Sequence, residues 1–112
     1  MTPIAHSYRY SLFRNEVTYE LHDAELVMRR EGEEPTAIPY NSIRSVRLKF
    51  YGMGSYVCEL RADSHHIVLA NRHFVSYGEF EDRCETYVPF LESLHQRLVV
   101  HSPGVRFRAG SN

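Results

Sequence analysis

The chain has no tryptophan, only two cysteines, no strong excess of either charge and no long apolar run. Each absence closes a route. Cys58 and Cys84 are too few to staple 112 residues, so the fold must rest on an apolar core rather than a disulfide scaffold. That length suffices for one such core and hardly for two domains. No segment approaches the roughly 18 consecutive apolar residues of a membrane-spanning helix. The start, Met1-Thr2-Pro3-Ile4-Ala5-His6, has neither the basic opening nor the apolar stretch of a secretory signal. These features predict a reducing, cytoplasmic setting. A net charge of −1 lacks the basic excess that draws a protein to nucleic acid or to anionic lipid. It argues against nucleic acid as the main partner and gives membrane association no electrostatic support.

What the chain does have is aromatic residues, eight Tyr and six Phe, which suit a pleated, half-buried surface. Period-two alternation then runs through the first two-thirds. Val17, Tyr19 and Leu21 share one face, with Thr18, Glu20 and His22 on the other. His22-Asp23 offers a turn, Leu26 and Met28 begin the next strand, and Glu31-Gly32-Glu33-Glu34-Pro35 reads as a hairpin loop. Thr36-Ala37-Ile38 is a short strand, and Pro39-Tyr40-Asn41-Ser42 a tight corner. The clearest strand spans Ile43 to Tyr51, with Val46, Leu48 and Phe50 inward and Ser45, Arg47, Lys49 and Tyr51 outward. After the turn at Gly52-Met53-Gly54, Tyr56, Cys58 and Leu60 alternate with Val57, Glu59 and Arg61. A turn at Ala62-Asp63-Ser64 leads into a strand from His65 to Asn71, and Tyr8 to Phe13 adds one more candidate.

After Asn71 the period changes. Phe80, Cys84, Tyr87, Leu91, Leu94 and Leu98 recur at helical spacing. Ser76 with Glu79 has the capping-box spacing, so the helix is expected to start there. Pro89 lies inside the stripe and predicts a kink. Residues 1–100 thus read as one domain and residues 101–112 as a tail. In the tail Val105 and Phe107 alternate with Arg106 and Arg108, a pattern that fits a sheet edge. The predicted fold is mainly β (α+β). It is an antiparallel curved sheet or partly open barrel of six to seven strands, capped by a C-terminal helix kinked near Pro89.

The stretch Ala24-Glu25-Leu26-Val27-Met28-Arg29-Arg30, followed by Ile38-Pro39-Tyr40-Asn41-Ser42-Ile43-Arg44-Ser45-Val46-Arg47-Leu48, resembles the bacterial pleckstrin-homology-like (PH-like) pattern. The resemblance covers residues 8 to 98. The segment from Phe80-Glu81-Asp82-Arg83 to Leu94-His95 is also similar to small bacterial proteins of that type. It implies a curved sheet plugged at one end by the C-terminal helix, and it carries no activity with it. Lipid-binding members carry a basic first hairpin loop, whereas Glu31-Gly32-Glu33-Glu34 is acidic.

No catalytic residue, metal ligand or cofactor is expected. His65 and His66 are adjacent on a strand and point to opposite faces. The other histidines have no H-x-x-x-H spacing. Cys58 and Cys84 fall on inward positions, as small buried hydrophobes do. Glu81, Asp82 and Glu85 sit where a helix N-terminus would favour acidic groups. The candidate binding surface is basic: Arg47 and Lys49 share a face with Tyr51, and Arg29 is expected nearby, a strip suited to an anion. Val105 and Phe107 are the candidate edge or tail contact. Tyr content and an exposed sheet edge point to association by strand addition. The leading expectation is therefore a non-enzymatic interaction module that binds a protein partner or itself, as a homo-oligomer. Small-ligand or anionic-lipid binding through the basic sheet face is the alternative. An enzyme comes last, because no nucleophile–base pair can be named.

Overall fold

Alternation becomes strand wherever one face finds a core. Val17, Tyr19 and Leu21 are buried while Thr18 and Glu20 are half-exposed, and this segment is strand β2 (Val17–Leu21). The structure, a computed structural model, describes residues 4–9, 16–51, 54–76 and 79–109. Strands β1 (Ile4–Tyr8), β2, β3 (Glu25–Arg30) and β4 (Thr36–Pro39) form an antiparallel meander in chain order. The turn between β2 and β3 closes through His22 N–H donating to Glu25 O at 2.9 Å. The next turn closes through Glu33 N–H and Arg30 O at 3.1 Å, and its Gly32 has φ 79°, a conformation that favours glycine. The predicted corner is a 3-10 turn over Tyr40–Ser42.

A second sheet has the order β10-β5-β6-β7, with β5 (Ile43–Phe50), β6 (Tyr56–Ala62), β7 (His66–Ala70) and β10 (Arg106–Ala109). β5, β6 and β7 are antiparallel, whereas the tail strand β10 lies parallel to β5, with Phe107 opposite Val46. The alternating tail is thus a sheet edge. Among the described residues the two four-stranded sheets share no strand pairing, so the barrel is not closed. The fold is mainly β with a C-terminal helix, and the described residues form ten strands where six or seven were expected.

The extra strands include a hairpin, β8 (Arg72–Ser76) and β9 (Glu79–Asp82), in the stretch where the helix was expected to begin. Ser76 pairs with Glu79 across this hairpin. The i, i+3 spacing of a capping box is also the spacing of the residues that close a two-residue hairpin loop. The helix α1 starts later, at Cys84, and runs to His101 as one element through Pro89. Pro89 is only the sixth helical residue, so the N–H it lacks removes a single bond, to Glu85, near the helix start. Phe80 lies on β9; its side chain, like that of Ser76, is outside the described residues, as are residues 10–13 of the expected first strand and the turn residues Gly52 and Met53.

The buried face of α1 is Tyr87, Phe90, Leu94 and Leu98, with Leu91 half-buried and Cys84 at the margin. It packs against β1, β2 and the Tyr40 corner. There the His6 ring meets Tyr87 at 5.5 Å, and Tyr40 meets His101 at 5.5 Å. Tyr8, Tyr19, Leu26, Ile38, Ile43, Leu60 and Leu69 complete the core. No helix among the described residues is long and apolar enough to cross a membrane.

Candidate functional site

The helix crosses the first sheet's end and leaves part of the second sheet uncovered. Val46 is buried, but the next inward positions on β5, Leu48 and Phe50, are 44% and 55% exposed. The expectation that all three face a core therefore fails at the far end of the strand, where Phe50 instead stacks on Tyr56 at 4.9 Å. Between this sheet and α1 lies an apolar groove of about 390 Å³, lined chiefly by Val46, Leu48, Cys58, Leu91, Leu94 and Phe107.

The tail reaches this groove through a built connection. Ser102, buried just past the helix, donates its hydroxyl to Ile43 O at 2.9 Å. Val105 N–H donates to Ser102 O at 2.9 Å, turning the chain at Pro103-Gly104. Val105 is half-buried against the core, and the Phe107 ring lies 4.4 Å from that of His95 on the helix. Of the two tail residues singled out by alternation, Phe107 lies on the edge strand against β5, and Val105 packs on the core in the turn just before it.

The basic strip is only partly assembled. Arg29 lies on β3, in the other sheet, where its Nε donates to Glu20 at 2.9 Å. It shares no sheet face with Arg47, because β3 and β5 belong to different sheets. Arg47 and Lys49 share the outer face of β5. Lys49 is held by Glu59 at 2.5 Å, and that bond raises its pKa above the ordinary value. Tyr51 follows β5 and is 61% exposed. In place of Arg29, the register brings in Arg61, Arg106 and Arg108. Ser45 pairs with Arg61 and with Arg106, and Arg47 pairs with Arg108. Arg61 carried a signal in its outward position on β6, but only strand order reveals the neighbourhood.

Elsewhere the polar groups serve the fold. Burial pushes the Cys58 thiol up to about 12 and also raises Cys84, so neither is a thiolate at neutral pH. His66, exposed on β7, lies 3.5 Å from Glu59. Glu81 and Asp82 belong to β9 rather than to a helix face. Glu81 meets Arg83 at 3.3 Å, and Asp82 accepts the Cys84 N–H at 3.0 Å. No group of three or more His, Cys, Asp or Glu among the described residues is placed to hold a metal ion. Comparison with protein-family models, with curated proteins and with solved structures gives no match.

Proposed function

We propose that the chain is a non-enzymatic interaction module of PH-like build, working in a reducing cytoplasm, whose groove between α1 and β5 takes an extended, aromatic-bearing segment of a protein partner. The observation that carries this reading is intramolecular. The chain's own Arg106–Ala109 segment pairs with β5 and sets Phe107 beside His95 at the groove. A surface that accommodates one such segment has the backbone edge and the apolar wall that strand addition requires. Leu48, Phe50 and Tyr56 extend the apolar surface along β5 and β6. Exposed aromatic clusters of this kind mark interaction sites. The PH-like assignment is supported by the element order, two four-stranded sheets and a C-terminal helix packed over the first.

The test is a titration of a labelled peptide with the sequence of residues 102–109 into the full chain, read by fluorescence anisotropy. Phe107→Ala in the protein weakens its own tail, so this variant should bind the peptide more tightly than the unsubstituted chain. Leu48→Asp should not bind the peptide. Light scattering at rising concentration identifies the case in which a second copy donates the segment. A Phe107→Ala protein that folds normally and binds no peptide would overturn the reading.

A further inference from the structure

We propose that Arg47, Arg61, Arg106 and Arg108 form a site for a phosphate group, carried by a small molecule or a lipid headgroup, and that this site exists only while β10 is docked on β5. In-register partners on neighbouring strands point to the same face and rise about 4.8 Å apart. Arg108 stands opposite Arg47, while Arg106 and Arg61 flank Ser45 from either side. Their side chains line a hollow of about 350 Å³ together with Glu59, the cross-strand partner of Arg47.

The chain gives other arginines carboxylate partners: Glu20 for Arg29, Asp63 for Arg44, Glu81 for Arg83. Among the described residues, none of the four guanidiniums at the hollow has one. Glu59 is already engaged, by Lys49 at 2.5 Å and His66 at 3.5 Å. The outer face of the second sheet is therefore strongly positive on a chain whose net charge is −1. Like charges so close repel, and an anion between them removes that cost.

Phosphate suits the geometry better than a carboxylate. Guanidiniums approach from three strands, and a tetrahedral anion presents oxygens in all those directions. A carboxylate offers two oxygens in one plane.

Two of the four arginines belong to the tail, so occupancy and tail docking are linked. A ligand that binds only the docked form stabilises docking by mass action. The site lies on the opposite sheet face from Val46, Leu48 and Phe107, and a partner segment that displaced β10 from β5 would carry Arg106 and Arg108 away from it.

The experiment uses the full chain with sodium pyrophosphate, against sodium chloride at matched ionic strength. Binding is read by calorimetry and by amide exchange of residues 105–109. The expected result is saturable binding that slows exchange in β10. Arg106→Gln with Arg108→Gln should weaken it by at least about tenfold, the loss of one charge-assisted hydrogen bond. Arg47→Gln should do the same with an unchanged circular-dichroism spectrum. Co-sedimentation with vesicles of phosphatidylcholine alone, and of equal parts phosphatidylcholine and phosphatidylserine, separates the sources. Salt-sensitive sedimentation with the anionic vesicles, competed by pyrophosphate, assigns a headgroup; pyrophosphate binding without sedimentation assigns a free phosphorylated molecule. The proposal is overturned if chloride reproduces the response, if the arginine variants bind undiminished, or if a single-stranded oligonucleotide binds where pyrophosphate does not.

Discussion

Asn71 Nδ2 donates to Asp82 Oδ1 at 3.0 Å, and the same carboxylate oxygen accepts the Cys84 backbone N–H at 3.0 Å. This contact joins three elements. Asn71 is fully buried at the junction of β7 and β8; its Oδ1 accepts from Tyr56 N–H at 2.7 Å and its Nδ2 also reaches Gly54 O at 2.8 Å. Bonds from the Cys84 thiol, then from the Asn71 amide and the Cys84 N–H, hold the Asp82 carboxyl below the usual range. The helix start, the β8–β9 hairpin and the turn before β6 thus share one amide.

Asn71→Ala takes the side-chain partner from Tyr56 N–H, Gly54 O and Asp82 at once and should cost about 1–3 kcal/mol. Asn71→Asp should do worse at neutral pH, since it sets a second carboxylate against Asp82, and should recover partly in mild acid as one of the pair takes a proton. Urea midpoints at two pH values check both.

His6 is buried, with Nε2 2.7 Å from Ala70 O and Nδ1 2.8 Å from Thr86 Oγ1. A carbonyl partner requires Nε2 to carry the proton, so Nδ1 accepts from Thr86. Burial lowers the His6 pKa from 6.5, and the Arg83 charge lowers it further against the opposing bond to Ala70. Burial also lowers His73, the main cause, aided by Arg83. The unfolded chain therefore binds more protons than the native one below the unfolded value. The neutral-histidine contribution is full above about 6.5 and is lost as pH falls through the lower folded values. Stability should decline from pH 7 toward 5, and His6→Gln should flatten that decline; denaturation midpoints across the range measure it.

Phe90 is completely buried between α1 and the first sheet, whereas Phe50 is 55% exposed. Phe90→Ala should cost about 3–5 kcal/mol. Phe50→Ser should cost about 0.5 kcal/mol and weaken peptide capture at the groove. Thermal melts set beside the anisotropy titration separate the two roles.

Ser102→Ala removes the hydroxyl bond to Ile43 O and leaves that carbonyl unpaired. Stability should fall by about 1 kcal/mol. Amide exchange should rise in β10 more than in β6, because only β10 depends on that anchor for its approach.

Much of the first sheet was legible in the sequence because each strand buries one face, and alternation at Val17-Tyr19-Leu21 reports that directly. The turns at His22-Asp23, at Gly32 and at Ala62-Asp63-Ser64 were legible through their residue types. The β8–β9 hairpin was not, because Ser76 and Glu79 satisfy two local motifs at once and only pairing decides between them. Phe90 was missed because the stripe was drawn through Leu91; Tyr87, Leu94 and Leu98 keep the expected face, and between them packing buries Phe90 fully and Leu91 only in part. Leu48 and Phe50 alternate like core residues, but helix coverage ends before them, and coverage is a tertiary property. The arginine hollow was half legible. Arg47 and the alternation of Arg106 with Arg108 were visible, yet which strands stand side by side is decided by long-range register.

Both proposed surfaces rest on the tail strand lying parallel on β5. Interstrand nuclear Overhauser contacts in the isotope-labelled full chain test this most directly. The account predicts contacts from Phe107 to Val46 and from Arg108 to Arg47, with extended-strand chemical shifts over residues 106–109. Random-coil shifts for that segment and no contact to β5 would contradict it.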